Sequence, residues 1–111
     1  MLYALATDDR TLHVFSTEAE AISYCEGFDV ASGHWCFFAA DGSPLAAIFS
    51  EPAREGTFLI THGRYALSPG TGPSLQESLA GIAAVEGPPG LQSIAEVARV
   101  LALARPPVAE E

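Results

Sequence analysis

The chain has 111 residues, of which 14 are acidic, 5 are basic and 49% are hydrophobic, for a formal net charge of −9. That size fits one domain with a core of its own. No stretch approaches the roughly 18 unbroken apolar residues of a membrane span, and so acidic a surface repels phosphate backbones, which disfavours nucleic acid and favours a basic protein as partner.

The first elements read as a hairpin. Residues 2–6 are apolar, residues 7–10 are turn-like, and residues 11–15 resume with β-branched and aromatic side chains. Thr17 followed by Glu20 is a capping-box spacing, so a helix is expected over 18–26. It places Ala21, Ile22 and Cys25 on one face and is ended by Gly27 in a left-handed conformation. Residues 34–39 (HWCFFA) carry the strongest strand pattern, with Trp35 and Phe37 on one face and Cys36 and Phe38 on the other. Asp41-Gly42 predicts a tight turn with both central residues at positive φ, and residues 45–49 form the return strand. Residues 51–56 read as a loop. Residues 57–61 and 64–67 read as two further strands around a turn at His62-Gly63, completing an antiparallel four-stranded meander.

Residues 68–73 are a Pro/Gly linker. Ser74/Glu77 and Ser93/Glu96 repeat the capping-box spacing. The first introduces a helix with Leu75, Leu79 and Ile82 in one stripe, stopping at residues 87–90. The second introduces a helix with Ile94, Val97, Ala98 and Leu101 inward and Val100 and Leu103 widening the stripe. The expectation is therefore an α+β fold in the order ββαββββαα: an antiparallel β-meander sheet with an N-terminal hairpin and helix and two C-terminal helices. It forms a single domain over 1–105, with at least one sheet face covered by helix and a frayed acidic tail at 106–111.

Little of the sequence resembles catalytic equipment. His13, His34 and His62 with Cys25 and Cys36 could in principle surround zinc, but they lack close ligand pairs, so no metal or other cofactor is expected. A Cys36–His34 nucleophile pair is disfavoured, because neighbours two apart on a strand do not form that hydrogen bond; both cysteines are read as small buried hydrophobes. Ser16, Ser74 and Ser93 are explained as helix caps, and Gly70-Thr71-Gly72 lacks the lysine of a phosphate loop. Two cysteines are too few for a disulfide scaffold. With no basic region at the N-terminus, a cytoplasmic protein is expected. All five basic residues are arginine, while lysine and asparagine are absent, the composition of a GC-rich bacterial source.

Charge is uneven. Residues 1–56 hold nine acids and two arginines, a net of −7, whereas residues 57–111 hold five acids and three arginines, a net of −2. Glu18, Glu20, Glu26 and Asp29 cluster around the first helix, beside Tyr24 and Phe28. The bland reading is a solvated helix face; the functional one is a contact patch in which charge steers and aromatics anchor. In size and charge the chain resembles the immunity proteins that neutralise bacterial toxins, and that resemblance implies a basic protein partner. The leading expectation is a non-enzymatic protein-binding module. The alternatives are a ligand-binding domain or small enzyme, with a pocket between the sheet and the C-terminal helices and Gly81 allowing close approach, or a structural subunit. The apolar stripe of the last helix permits a homodimer.

Overall fold

The computed structural model describes residues 1–104 and has an α+β fold built on a large, mostly antiparallel sheet with four helices. The expected tail at 106–111 lies outside the described residues. Strand β1 (Leu2–Ala6) pairs antiparallel with β2 (Thr11–Phe15), from Leu2↔Phe15 to Leu5↔Leu12, the hairpin expected from the apolar run, turn and β-branched run. On its other side β1 pairs with β3 (Trp35–Ala39), from Leu2↔Ala39 to Ala6↔Trp35, without a break in register. With a strand on each side and helices on both faces, all five residues of β1 are buried.

The link from β3 to β4 (Pro44–Glu51) differs from expectation in its turn. Gly42 has φ 89, but Asp41 is not at positive φ. Gly42 N–H donates to the Ala39 carbonyl at 2.9 Å and Ala39 N–H to the Ser43 carbonyl at 2.8 Å. An added loop residue relieves Asp41, leaving one left-handed glycine to close the hairpin.

The four-strand meander does not form as read. β4 extends to Glu51, long enough to take β7 (Arg64–Pro69) as its partner from Leu45↔Pro69 to Glu51↔Arg64, with a bulge between Phe49 and Glu51. The residues between them leave the sheet as an arm in which β5 (Arg54–Glu55) pairs with β6 (Ile60–Thr61). The arm carries Phe58 at its tip, 98% exposed.

Helix α1 (Glu18–Tyr24) starts where expected, with Thr17 Oγ1 accepting the Glu20 N–H at 3.1 Å. The Glu20 carboxylate reaches back to Ser16 N–H rather than to Thr17. The helix ends at Cys25 in extended conformation, two residues before the predicted glycine stop. Gly27 instead opens a second short helix, α2 (Gly27–Ala31), and is needed because the His62 carbonyl occupies the space of a Cβ.

Helix α3 (Leu75–Ser78) has the full capping box of Ser74 and Glu77. Its predicted continuation fails. A 3-10 turn at Leu79–Gly81 is followed by β8 (Ala84–Glu86), which pairs parallel with β2 from Thr11↔Ala84 to His13↔Glu86. Arg10 ends the helix: its Nε donates to the Gly81 carbonyl at 2.8 Å, and its own carbonyl accepts from Ala83 N–H at 2.8 Å. The space above Gly81 is filled by the Arg10 guanidinium, not left for a ligand. Helix α4 (Ile94–Ala104) buries Val97 and Leu101, while Leu103, expected to widen the stripe, is exposed.

The sheet order is β7-β4-β3-β1-β2-β8. The element order is therefore ββααβββββαβα rather than ββαββββαα. One face packs Tyr3, Leu5, Leu12 and Phe38 against Leu75, Ile82, Val97 and Leu101 of the C-terminal segments. The other packs Leu2, Ala4, Phe37 and Tyr65 against Ala21 and Cys25, with Trp35, Ile22 and Val30 at its margin. Trp35 and Phe37 thus share a face opposite Phe38, and each face is covered by helix.

Candidate functional site

The six residues of the acidic–aromatic patch are held by different parts of the fold. On α1, Glu18 reaches the edge strand, its Oε2 accepting from Leu67 N–H at 3.0 Å, and Glu20 accepts from Ser16 N–H at 3.1 Å. Tyr24, 55% exposed, lies over His13 at 5.1 Å and Phe15 at 5.6 Å, with Trp35 edge-on at 6.0 Å. Phe15, Ala19, Glu20, Ser23 and Tyr24 line a shallow depression of about 580 Å³.

The other three residues sit at the α1–α2 junction. Glu26 meets His62 Nε2 at 2.8 Å, and Asp29 lies 3.7 Å from His34 Nδ1. Phe28 is half-buried, and its N–H donates to His62 Nδ1 at 3.3 Å. The carboxylates therefore tie helices to strands and turns as well as carrying charge. The His62 contacts were invisible in sequence, because they join residues more than 30 positions apart.

Those contacts also decide the chemistry of a second depression, of about 360 Å³, where Ser23, Glu26 and His62 come together. Nδ1 of His62 accepts from Phe28, so Nε2 carries the proton donated to Glu26. No ring lone pair is left to take a proton from Ser23, so the trio is not an activated serine.

The cysteines differ sharply. Cys25 is buried as expected, and its thiol is pushed up to about 12, chiefly by loss of solvation and secondarily by the Asp29 carboxylate. Such a thiol is inert near neutral pH. The Tyr65 hydroxyl donates to the Cys25 carbonyl at 2.5 Å and is itself pushed well above its ordinary range, again first by burial. Cys36, expected to be buried, is exposed. Both thiols are free. Among the described residues no three His, Cys, Asp or Glu side chains come together as a metal site.

An opening of about 540 Å³ lies within the sheet itself, between β3 and β4. The two strands pair only at Phe37↔Leu45 and Phe38↔Pro44, next to their turn. Continued register would bring Cys36 to Ala46 and Trp35 to Ala47, but the strands diverge and those pairs are not made. Val30, Trp35, Phe37 and Phe49 line the opening from the α1–α2 face, and Cys36, Thr71 and Pro73 line the opposite side. The aromatic run at 34–39 and the Asp41-Gly42 turn identified both strands in the sequence but carried no sign that they would part.

No known protein family, no curated protein and no solved structure matches the chain. No helix among the described residues is long and apolar enough to cross a membrane.

Proposed function

We propose that the chain is a non-enzymatic bacterial protein-binding module, acting in the cytoplasm, whose acidic first half engages a basic protein in the manner of a toxin-neutralising inhibitor. The observation that carries this reading is Tyr24. It is more than half exposed, yet it is braced by His13, Phe15 and Trp35 and flanked on the same helix by the exposed Glu18 and Glu20. A braced aromatic loses little freedom on binding and suits an interface anchor, while adjacent carboxylates raise the rate of encounter with a basic surface. The engaged ring of His62 and the inert thiol of Cys25 fit a role without catalysis. The alternative, a ligand domain with its pocket under the C-terminal helices, has less support, because the 540 Å³ opening lies in the sheet.

The test exploits the double use of the carboxylates. Glu18→Gln, Glu20→Gln, Glu26→Gln and Asp29→Asn remove four charges but retain acceptor oxygens for Leu67, Ser16 and His62. The combined variant is expected to keep the fold by circular dichroism. Its association with a basic partner captured from the source organism slows about tenfold at low salt, and the gap narrows as salt screens the field. Tyr24→Ala speeds dissociation instead. Association that ignores both the four replacements and salt removes the basis of this reading.

A further inference from the structure

We infer that the opening between β3 and β4 is a binding groove for an extended apolar segment of another polypeptide, which completes the sheet by pairing with the parted strands. This goes beyond the acidic surface and does not depend on it. The argument begins with the direction of the backbone groups. His34 C=O accepts from Thr7 N–H on the β1 side, and Ala39 N–H bonds to Ser43 on the β4 side. Backbone groups alternate sides along a strand, so those of Trp35 and Phe37 also point towards β4.

On the facing strand, Pro44 C=O accepts from Gly70 N–H on the β7 side. Leu45 and Ala47 therefore point towards β3. Leu45 finds Phe37, but Ala47 and Trp35 face a gap. Both walls thus offer a backbone donor and acceptor in strand geometry, which an incoming extended chain would pair.

The side chains favour the same occupant. An extended chain sends successive side chains to opposite faces of a sheet. Here Val30, Trp35 and Phe49 provide an apolar wall on one face, and Cys36, Thr71 and Pro73 a smaller, mixed one on the other. The opening of about 540 Å³ is of the size of established ligand sites, which run about 300–1,000 Å³. Strand addition takes affinity from backbone hydrogen bonds and specificity from alternate side chains, and both are available in this groove.

Cys36 lines the opening while Cys25 is buried, so the intact chain reports on the groove without mutation. The probe is a pool of capped peptides of about seven residues, with Val, Ile or Phe alternating with Thr or Ser. The readout is the rate of Cys36 alkylation by iodoacetamide, followed by mass spectrometry. Peptides from the pool are expected to slow alkylation about fivefold when present at about four times their Kd, as single-site occupancy requires. They also shift the fluorescence of Trp35, the one tryptophan of the chain. N-methylation of alternate amides, which removes donors but keeps the side chains, restores the unprotected rate. Equal protection by the N-methylated peptides would mean an apolar hole without strand pairing and overturns the inference. It is equally overturned if no peptide in the pool slows alkylation beyond about twofold.

Discussion

Tyr3 sits at the centre of the core with its hydroxyl buried and without a hydrogen-bond partner. A buried hydroxyl left unsatisfied costs about 1–3 kcal/mol, more than the packing of the single oxygen that Tyr3→Phe removes. Tyr3→Phe is therefore expected to stabilise the fold by about 1 kcal/mol, raising the midpoint of urea unfolding; a lower midpoint would mean that the hydroxyl has a partner in solution. Cys25 gives a second expectation. Its folded value of about 12 lies above its ordinary 9.0, so the folded chain keeps a proton that the unfolded chain releases between those values. This contribution is fully present below about pH 9 and is lost as pH rises towards about 12. Tyr65, raised by the same loss of solvation, acts in the same direction at the upper end. Unfolding midpoints should fall across that window, and Cys25→Ala should flatten the early part of the fall. A profile unchanged by Cys25→Ala would mean that this thiol is not the group responsible.

At the level of elements, α2 meets the arm at His62, through the Phe28 hydrogen bond and a close approach at Gly27. A side chain at residue 27 collides with the His62 carbonyl, and a carbonyl fixed by its chain cannot step aside as a flexible side chain could. Gly27→Ala is expected to cost about 1–3 kcal/mol, the range for overpacking. Phe58→Ser in the same arm, at a position 98% exposed, should stay within about 0.5 kcal/mol of the parent. Thermal melts of the two variants check the contrast; equal losses would mean that the arm is not docked through Gly27. Such joints explain what sequence could and could not reveal. The β1–β2 hairpin and the starts of α1, α3 and α4 were legible, because the period of side chains and the caps are local. Gly27 was misread as a helix stop because its requirement comes from His62. Residues 84–86 were misread as helix because Leu75, Leu79 and Ile82 have the spacing of a helical stripe in the sequence; the hydrogen bonds of Arg10 to Gly81 and Ala83 overrule it from more than 70 positions away. The patch at residues 18–29 was legible as composition, whereas its anchoring bonds and the parting of β3 from β4 are tertiary facts.

At the scale of the whole molecule, the net charge of −9 can act through space as a steering field, and most of it lies in the first half of the chain. The effect on encounter belongs to the sum of the carboxylates, which is why the fourfold replacement tests it better than any single substitution. One of those carboxylates does something further for the molecule. A six-stranded sheet has two edges, and an open edge is a template on which another chain can grow into a fibre. Here one edge strand, β8, is only three residues long. The other, β7, is paired with a bulged strand and has its outward Leu67 N–H occupied by the negative Glu18 side chain. An incoming strand would have to displace that carboxylate and lie beside its charge. The rims of the sheet are thus guarded against uncontrolled growth, and the place that remains receptive to a strand is walled on both sides and can hold only one.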